Sequence, residues 1–138
     1  MNIEIMRLLI DAGFVVLIWA VQLVIYPSFK FYTKAHLFQW HRSYTKRVTF
    51  IVLPLMASQL VLAIIHLIKT QNFYTIFSIT IIVTLWLLTF LIFVPLHQSI
   101  DTGKPVKNVC LKLEKKNWIR TLLWSFLFII SFFNYLSI

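Results

Sequence analysis

The stretch YTIFSITIIVTLWLLTFLIFV, residues 74–94, decides the fold. It holds no charged side chain, and Pro95 follows it directly. A helix needs about 20 apolar residues to cross the hydrocarbon core of a bilayer, and this run has that length. Three more long, mostly apolar runs lie outward from it, over about residues 7–26, 48–68 and 118–137. Pro27 is expected to end the first span as Pro95 ends the third, because proline donates no ladder hydrogen bond and restricts the residue before it. Pro54, inside the second, predicts a kink whose freed carbonyls are satisfied by neighbouring groups. The composition agrees. Of 138 residues, 60% are hydrophobic and 12% charged, about half the charged share of a soluble domain. The chain therefore reads as all-α: an integral membrane four-helix bundle forming a single transmembrane domain over residues 1–138, with no room for a separate soluble domain.

Orientation follows from the basic residues. The first connection carries Lys30, Lys34, Arg42, Lys46 and Arg47. The third carries Lys104, Lys107, Lys112, Lys115 and Lys116, with Arg120 just inside the fourth span. Of the 13 Lys and Arg, only Arg7 and Lys69 fall on the other side. Both basic loops are expected in the cytoplasm and both termini outside, in a multi-pass protein of the cell inner (cytoplasmic) membrane. The net charge of +9 then serves topology and contact with anionic lipid headgroups, and no nucleic acid is expected as a partner. Arg7 before an apolar run mimics a signal peptide, but the run continues to Tyr26 with no small-residue cleavage site after it, so a retained helix is expected. The single Cys110 excludes an intrachain disulfide and is expected as a free thiol in a basic loop.

Residues 29–44 mix Phe29, Phe31, Tyr32, Phe38, Trp40 and Tyr44 with lysines, His36 and His41. The segment suits an aromatic and basic anchor at the headgroup level, or an inward extension of the second span. His36 is expected at the surface. The link Asp101-Thr102-Gly103-Lys104-Pro105 is the clearest turn signal in the chain. No alignable repeat relates the two helix pairs.

Few polar residues lie in the spans, and each is informative, because ionisable groups in a bilayer face the bundle interior or a wet cavity. The only acids are Glu4, Asp11, Asp101 and Glu114, too few for carboxylate-bridged metal pairs or glycosidase-like chemistry. No serine–histidine–acid pattern, glycine-rich phosphate loop or HExxH motif occurs. Asp11 and His66 are expected near the outer surface, each solvated by itself, with a pair between them as the alternative. Gln59, near mid-membrane, is interhelical glue or the floor of a cavity. Toward the inner surface lie Gln22, Tyr26, Trp40, His41, His97, Asn117, Trp118, Arg120, Thr121 and Trp124. Asn117, Arg120, Thr121 and Trp124 share one helical face. His41, His97 and Arg120 are the expected catalytic set, and Trp118, Trp124, Asn117, Gln59, Gln22 and Tyr26 the expected cofactor or ligand contacts. Imidazoles act as acid, base or metal ligand, so His97 and His41 are the metal candidates, and haem is the first cofactor to consider. Arginine holds an anionic group. The competing expectation is that these side chains only anchor helix ends.

Val94-Pro95-Leu96-His97, the turn at Gly103 and Asn117-Trp118-Ile119-Arg120-Thr121 through Trp124 resemble small bacterial four-helix membrane proteins, themselves similar to the anthrone oxygenase-type group. Tyr26-Pro27, Trp40-His41, Pro54 and Gln59 add to the resemblance in compatible order. It implies a four-helix fold and singles out His97, Trp118 and Arg120. The function expected is a membrane redox enzyme or cofactor protein acting on a lipophilic aromatic or quinone-like compound. The alternative is a non-catalytic subunit or lipid-binding module whose partner is another membrane protein or a second copy of the chain.

Overall fold

The structure, a computed structural model, describes residues 2–138. Four helices long and apolar enough to cross a membrane make up the chain: α1 (Ile3–Phe31), α2 (Lys34–Lys69), α3 (Phe73–Asp101) and α4 (Val109–Leu136). In lipid every backbone N–H and C=O must be paired within the segment, and a helix does this. Side chains close the starts of three helices. Asn2 accepts from the Ile5 N–H at 2.9 Å, Thr33 accepts from that of His36, and Asn72 exchanges bonds with Thr75 in a capping box. The helices run alternately up and down, and each packs against two neighbours. Both termini and the α2–α3 link share one end, the terminus end. The α1–α2 and α3–α4 links share the other, the connection end. Large apolar side chains such as Leu9, Val16, Phe50, Ile68, Leu91 and Leu122 cover the outside. Together these features define a multi-pass membrane protein.

All four helices are longer than the apolar runs alone indicate, and neither Pro27 nor Pro95 ends one. A single π-helical turn precedes each proline, Val21–Ile25 in α1 and Thr89–Phe93 in α3. In both, the residue just before the proline donates its N–H five positions back, Tyr26 to Val21 and Val94 to Thr89. The wider turn eases the clash between the proline ring and the carbonyl four residues earlier, so the helix continues. The two halves thus share a geometry that their sequences conceal. α2 is helical on both sides of Pro54. With 36 residues it extends about 54 Å, well past a hydrocarbon core of about 30 Å. The segment around Trp40 and His41 is therefore the extension of the second span.

The α3–α4 link stops α3 cleanly. Gly103, at φ +73°, occupies the left-handed position that suits glycine. Its N–H reaches the Ile100 carbonyl and that of Lys104 the Ser99 carbonyl, both at 3.0 Å, which is a Schellman closure. Asp101 is thereby fixed as the last residue of α3, one turn beyond His97 and on the same face.

Candidate functional site

The four helices bring one set of polar groups together at the connection end. Tyr26 comes from α1, just after its wide turn, and His97 from α3, just after the corresponding one. Tyr26 Oη and His97 Nε2 lie 2.9 Å apart. His97 Nδ1 is 2.8 Å from Nε2 of the fully buried His41 on α2. Nδ1 of His41 is 2.7 Å from Asp101 Oδ1, and the other carboxylate oxygen of Asp101 accepts from the Thr45 hydroxyl at 2.8 Å. The two imidazoles are nearly parallel, with centroids 5.0 Å apart. Positions from three helices thus form one row of side chains, ending at an Asp101 side chain that is 26% exposed.

The other end of the row is Arg120 on α4. Its Nη2 donates to Tyr26 Oη at 3.0 Å. Nε and Nη2 both donate to Asn117 Oδ1, at 2.9 and 2.7 Å, and Nη1 approaches the Thr89 hydroxyl at 3.4 Å. The guanidinium lies 3.5 Å over the Phe93 ring, a favourable cation–π contact. Asn117 is held in turn by Gln22, which accepts from Asn117 Nδ2 at 3.0 Å and donates to the Glu114 carbonyl. Thr121 adds a bond to the same Gln22 oxygen. Gln22, Asn117 and Thr121 position Arg120. Among the described residues no carboxylate lies within ion-pair distance of Arg120, although it is only 7% exposed.

Arg120, Tyr26, His97 and Asp101, with Thr45 beside them, form the polar head of a cavity of 310 Å³ between α2 and α3, backed by α1 and α4. Its walls are apolar, among them Phe14, Ile18, Met56, Phe93 and Trp124. Thr49, Leu53 and Phe90 line it from positions exposed on the outside of the bundle, so the cavity faces the surrounding lipid sideways. This volume is at the small end of the range for ligand sites. A second, wider depression of 590 Å³ lies between the two connections, beside Lys30, Lys34 and Lys107, and also touches Tyr26.

Several expected site residues fall elsewhere. Trp118 is 41% exposed and meets the edge of Trp19 on the outer surface, so it builds no cavity wall. Trp40 is also turned outward. Trp124 does form a wall, stacked on Phe14 at 4.6 Å. Gln59 does not line the cavity. It bridges Trp124 Nε1 and Asp11 Oδ1 at 3.3 and 2.7 Å, which is the glue role. Asp11 and His66 are neither solvated nor directly paired. Both are buried, with Asp11 held by Gln59 and Ser131 and His66 by Arg7 and, more distantly, Glu4. Arg7, counted from sequence only as an outer charge, binds Ser78 at 2.7 Å and lies over Tyr74.

Asp101 was legible only as a turn residue, yet it terminates the row. Its spacing of four from His97 on one helix was the available signal, as was the spacing of Tyr44 and Thr45 from His41. Thr89 and Phe93 carried no such mark. As arranged, the two histidines do not fit the part of haem ligands, because both nitrogens of each ring already have partners. Among the described residues no group of three or more His, Cys, Asp or Glu is placed to hold a metal. Comparison with family models, curated proteins and solved structures finds no match to the chain.

Proposed function

We propose that this is a protein of the cytoplasmic membrane, with its basic connections facing the cytoplasm, that binds a lipophilic aromatic or quinone-like compound and exchanges protons with it. The observation that carries this reading is Arg120: a buried guanidinium with no carboxylate beside it, at the head of an apolar cavity. A buried cation without a counter-charge is costly, and an electron-rich oxygen of a ligand offsets that cost. The apolar walls call for a flat hydrophobic body, the Tyr26 hydroxyl and Arg120 for a phenolic, enolic or quinone oxygen, and the lateral exposure for entry from lipid. The imidazoles behind Tyr26 supply acid–base capacity to an oxidation or reduction of that compound. The resemblance to anthrone oxygenase-type proteins supports the same ligand class through His97 and Arg120. Its Trp118 lies outside the cavity.

Thermal unfolding of the detergent-purified protein tests this reading, with 1-hydroxyanthraquinone and its O-methyl ether as probes. The phenol should raise the unfolding temperature more than the ether, and Arg120→Gln should erase the difference. Equal stabilisation by both probes, in wild type and variant alike, would favour a lipid-binding or subunit role without a head-group site.

A further inference from the structure

The row from Arg120 to Asp101 has a direction. Arginine offers only donors and an ionised carboxylate only acceptors. Three links join Tyr26 to Asp101. With both imidazoles neutral, Tyr26, His97 and His41 carry one mobile proton each. Only one arrangement fills every link. Tyr26 O–H donates to His97 Nε2, His97 Nδ1–H to His41 Nε2, and His41 Nδ1–H to Asp101. Both rings are then Nδ1-protonated, and every proton points from Tyr26 toward Asp101, which borders the cavity at the connection end of α3.

The geometry points to a proton outlet: Asp101, through His41 and His97, connects the ligand-facing Tyr26 hydroxyl to the aqueous phase on the side of the two basic connections, and to that side alone. Asp101 is thus a positioning and exit residue for the site. This rests on the ligand reading above. When a bound phenol gives its proton to Tyr26 Oη, Tyr26 passes its own to His97 Nε2, His97 passes one from Nδ1 to His41 Nε2, and His41 passes one from Nδ1 to Asp101. The phenolate stays beside Arg120, the three relay groups end neutral, and Asp101 becomes an uncharged acid. No electron moves, and the reverse sequence returns a proton to the product. Asp101, with 26% of its side chain exposed, ends the row at the connection end, and Thr45 holds its second oxygen ready.

The opposite direction offers no relay. Below Arg120 the stacked rings of Phe14 and Trp124 line the apolar part of the cavity, and the contact beyond is the Gln59 side-chain amide, a group that does not relay protons at ordinary pH. The remaining titratable or charged groups around the row are Arg42, whose Nε binds the Asp101 carbonyl, and Tyr44, whose ring packs on His41 and His97.

Two measurements test the outlet. Without any ligand, ¹⁵N imidazole spectra of histidine-labelled protein should show His41 and His97 as Nδ1–H tautomers. Asp101→Leu should abolish that preference at His41. Two Nε2–H rings, or no response to Asp101→Leu, would overturn the relay. Proteoliposomes of one orientation, carrying bound 1-hydroxyanthraquinone, then report proton release by colour after a pH jump on one side. A jump on the connection side should ionise the dye quickly and a jump on the terminus side should not. Asp101→Asn should slow the response by roughly tenfold or more, and Asp11→Asn should leave it unchanged. Equal responses from both sides, or an unaffected Asp101→Asn, would sink the sided outlet. Failure of the dye to bind would instead refute the ligand reading, while the imidazole spectra still judge the relay.

Discussion

The two ends of the bundle are made from the same kinds of side chain and do different things with them. Each buries an arginine beside a tyrosine and a histidine: Arg7, Tyr74 and His66 at the terminus end, Arg120, Tyr26 and His97 at the connection end. At the terminus end the acids are close by. Asp11 is reached from Gln59 and Ser131, Ser131 meets Tyr74, and none of these groups borders the cavity. The buried polar side chains there join α1, α2, α3 and α4 to one another, and a satisfied network in low dielectric is rigid. At the connection end the acid is held away from the arginine by two imidazoles, and the arginine borders a cavity. Distance between the opposite charges, rather than residue type, separates a tie from a site.

That contrast can be broken by substitution. The largest effect is expected for Arg7→Ala, which leaves Asp11 and Glu4 without a nearby cation. A loss of about 3–5 kcal/mol is typical when one member of a buried charged set is removed. Unfolding in detergent should begin at a much lower temperature, while the folded fraction should bind 1-hydroxyanthraquinone as wild type does. Weakened binding with unchanged stability would reverse the assignment of the two ends. A smaller destabilisation, about 1–3 kcal/mol, is expected for Asn117→Leu, which strips Arg120 of two hydrogen bonds. Here the preference for phenol over ether should shrink as well, measured in the same titration. The smallest effect is expected for Trp118→Phe. The side chain is half exposed, and surface changes of this kind stay within about 0.5 kcal/mol. A marked loss of ligand binding in that variant would show that the cavity wall includes Trp118.

The sequence reveals the fold more fully than the site. Four long apolar runs carry the helix count, because hydropathy depends on composition and no long-range contact alters it. The shared depth of His41, His97 and Arg120 is also legible, since helix direction alone puts them at one end. Which way a side chain points is a different matter. Trp118 and Arg120 are two positions apart on α4 and face opposite ways, as helical spacing allows. Asp11 and Arg7, one turn apart, both turn inward only because Gln59, His66, Ser78 and Ser131 from three other helices meet them. Such a network depends on several helices at once, and no local pattern announces it. The prolines mislead for a related reason. Their usual effect is to stop a helix, and a widened turn upstream removes it.

Those widened turns also make the protein sensitive to chain length at two points. A helix advances about 100° for each residue. Removing one amino acid from Val21–Ile25 or Thr89–Phe93 would leave hydropathy and span count as they are. A π turn absorbs one extra residue, so the removal would close it to α geometry with little rotation downstream. But the ring of Pro27 or Pro95 would again meet the carbonyl four residues earlier and bend the helix where Tyr26 or His97 joins the row. Among natural variants of this chain, single-residue gaps should therefore be tolerated in the α2–α3 link long before they are tolerated ahead of either proline.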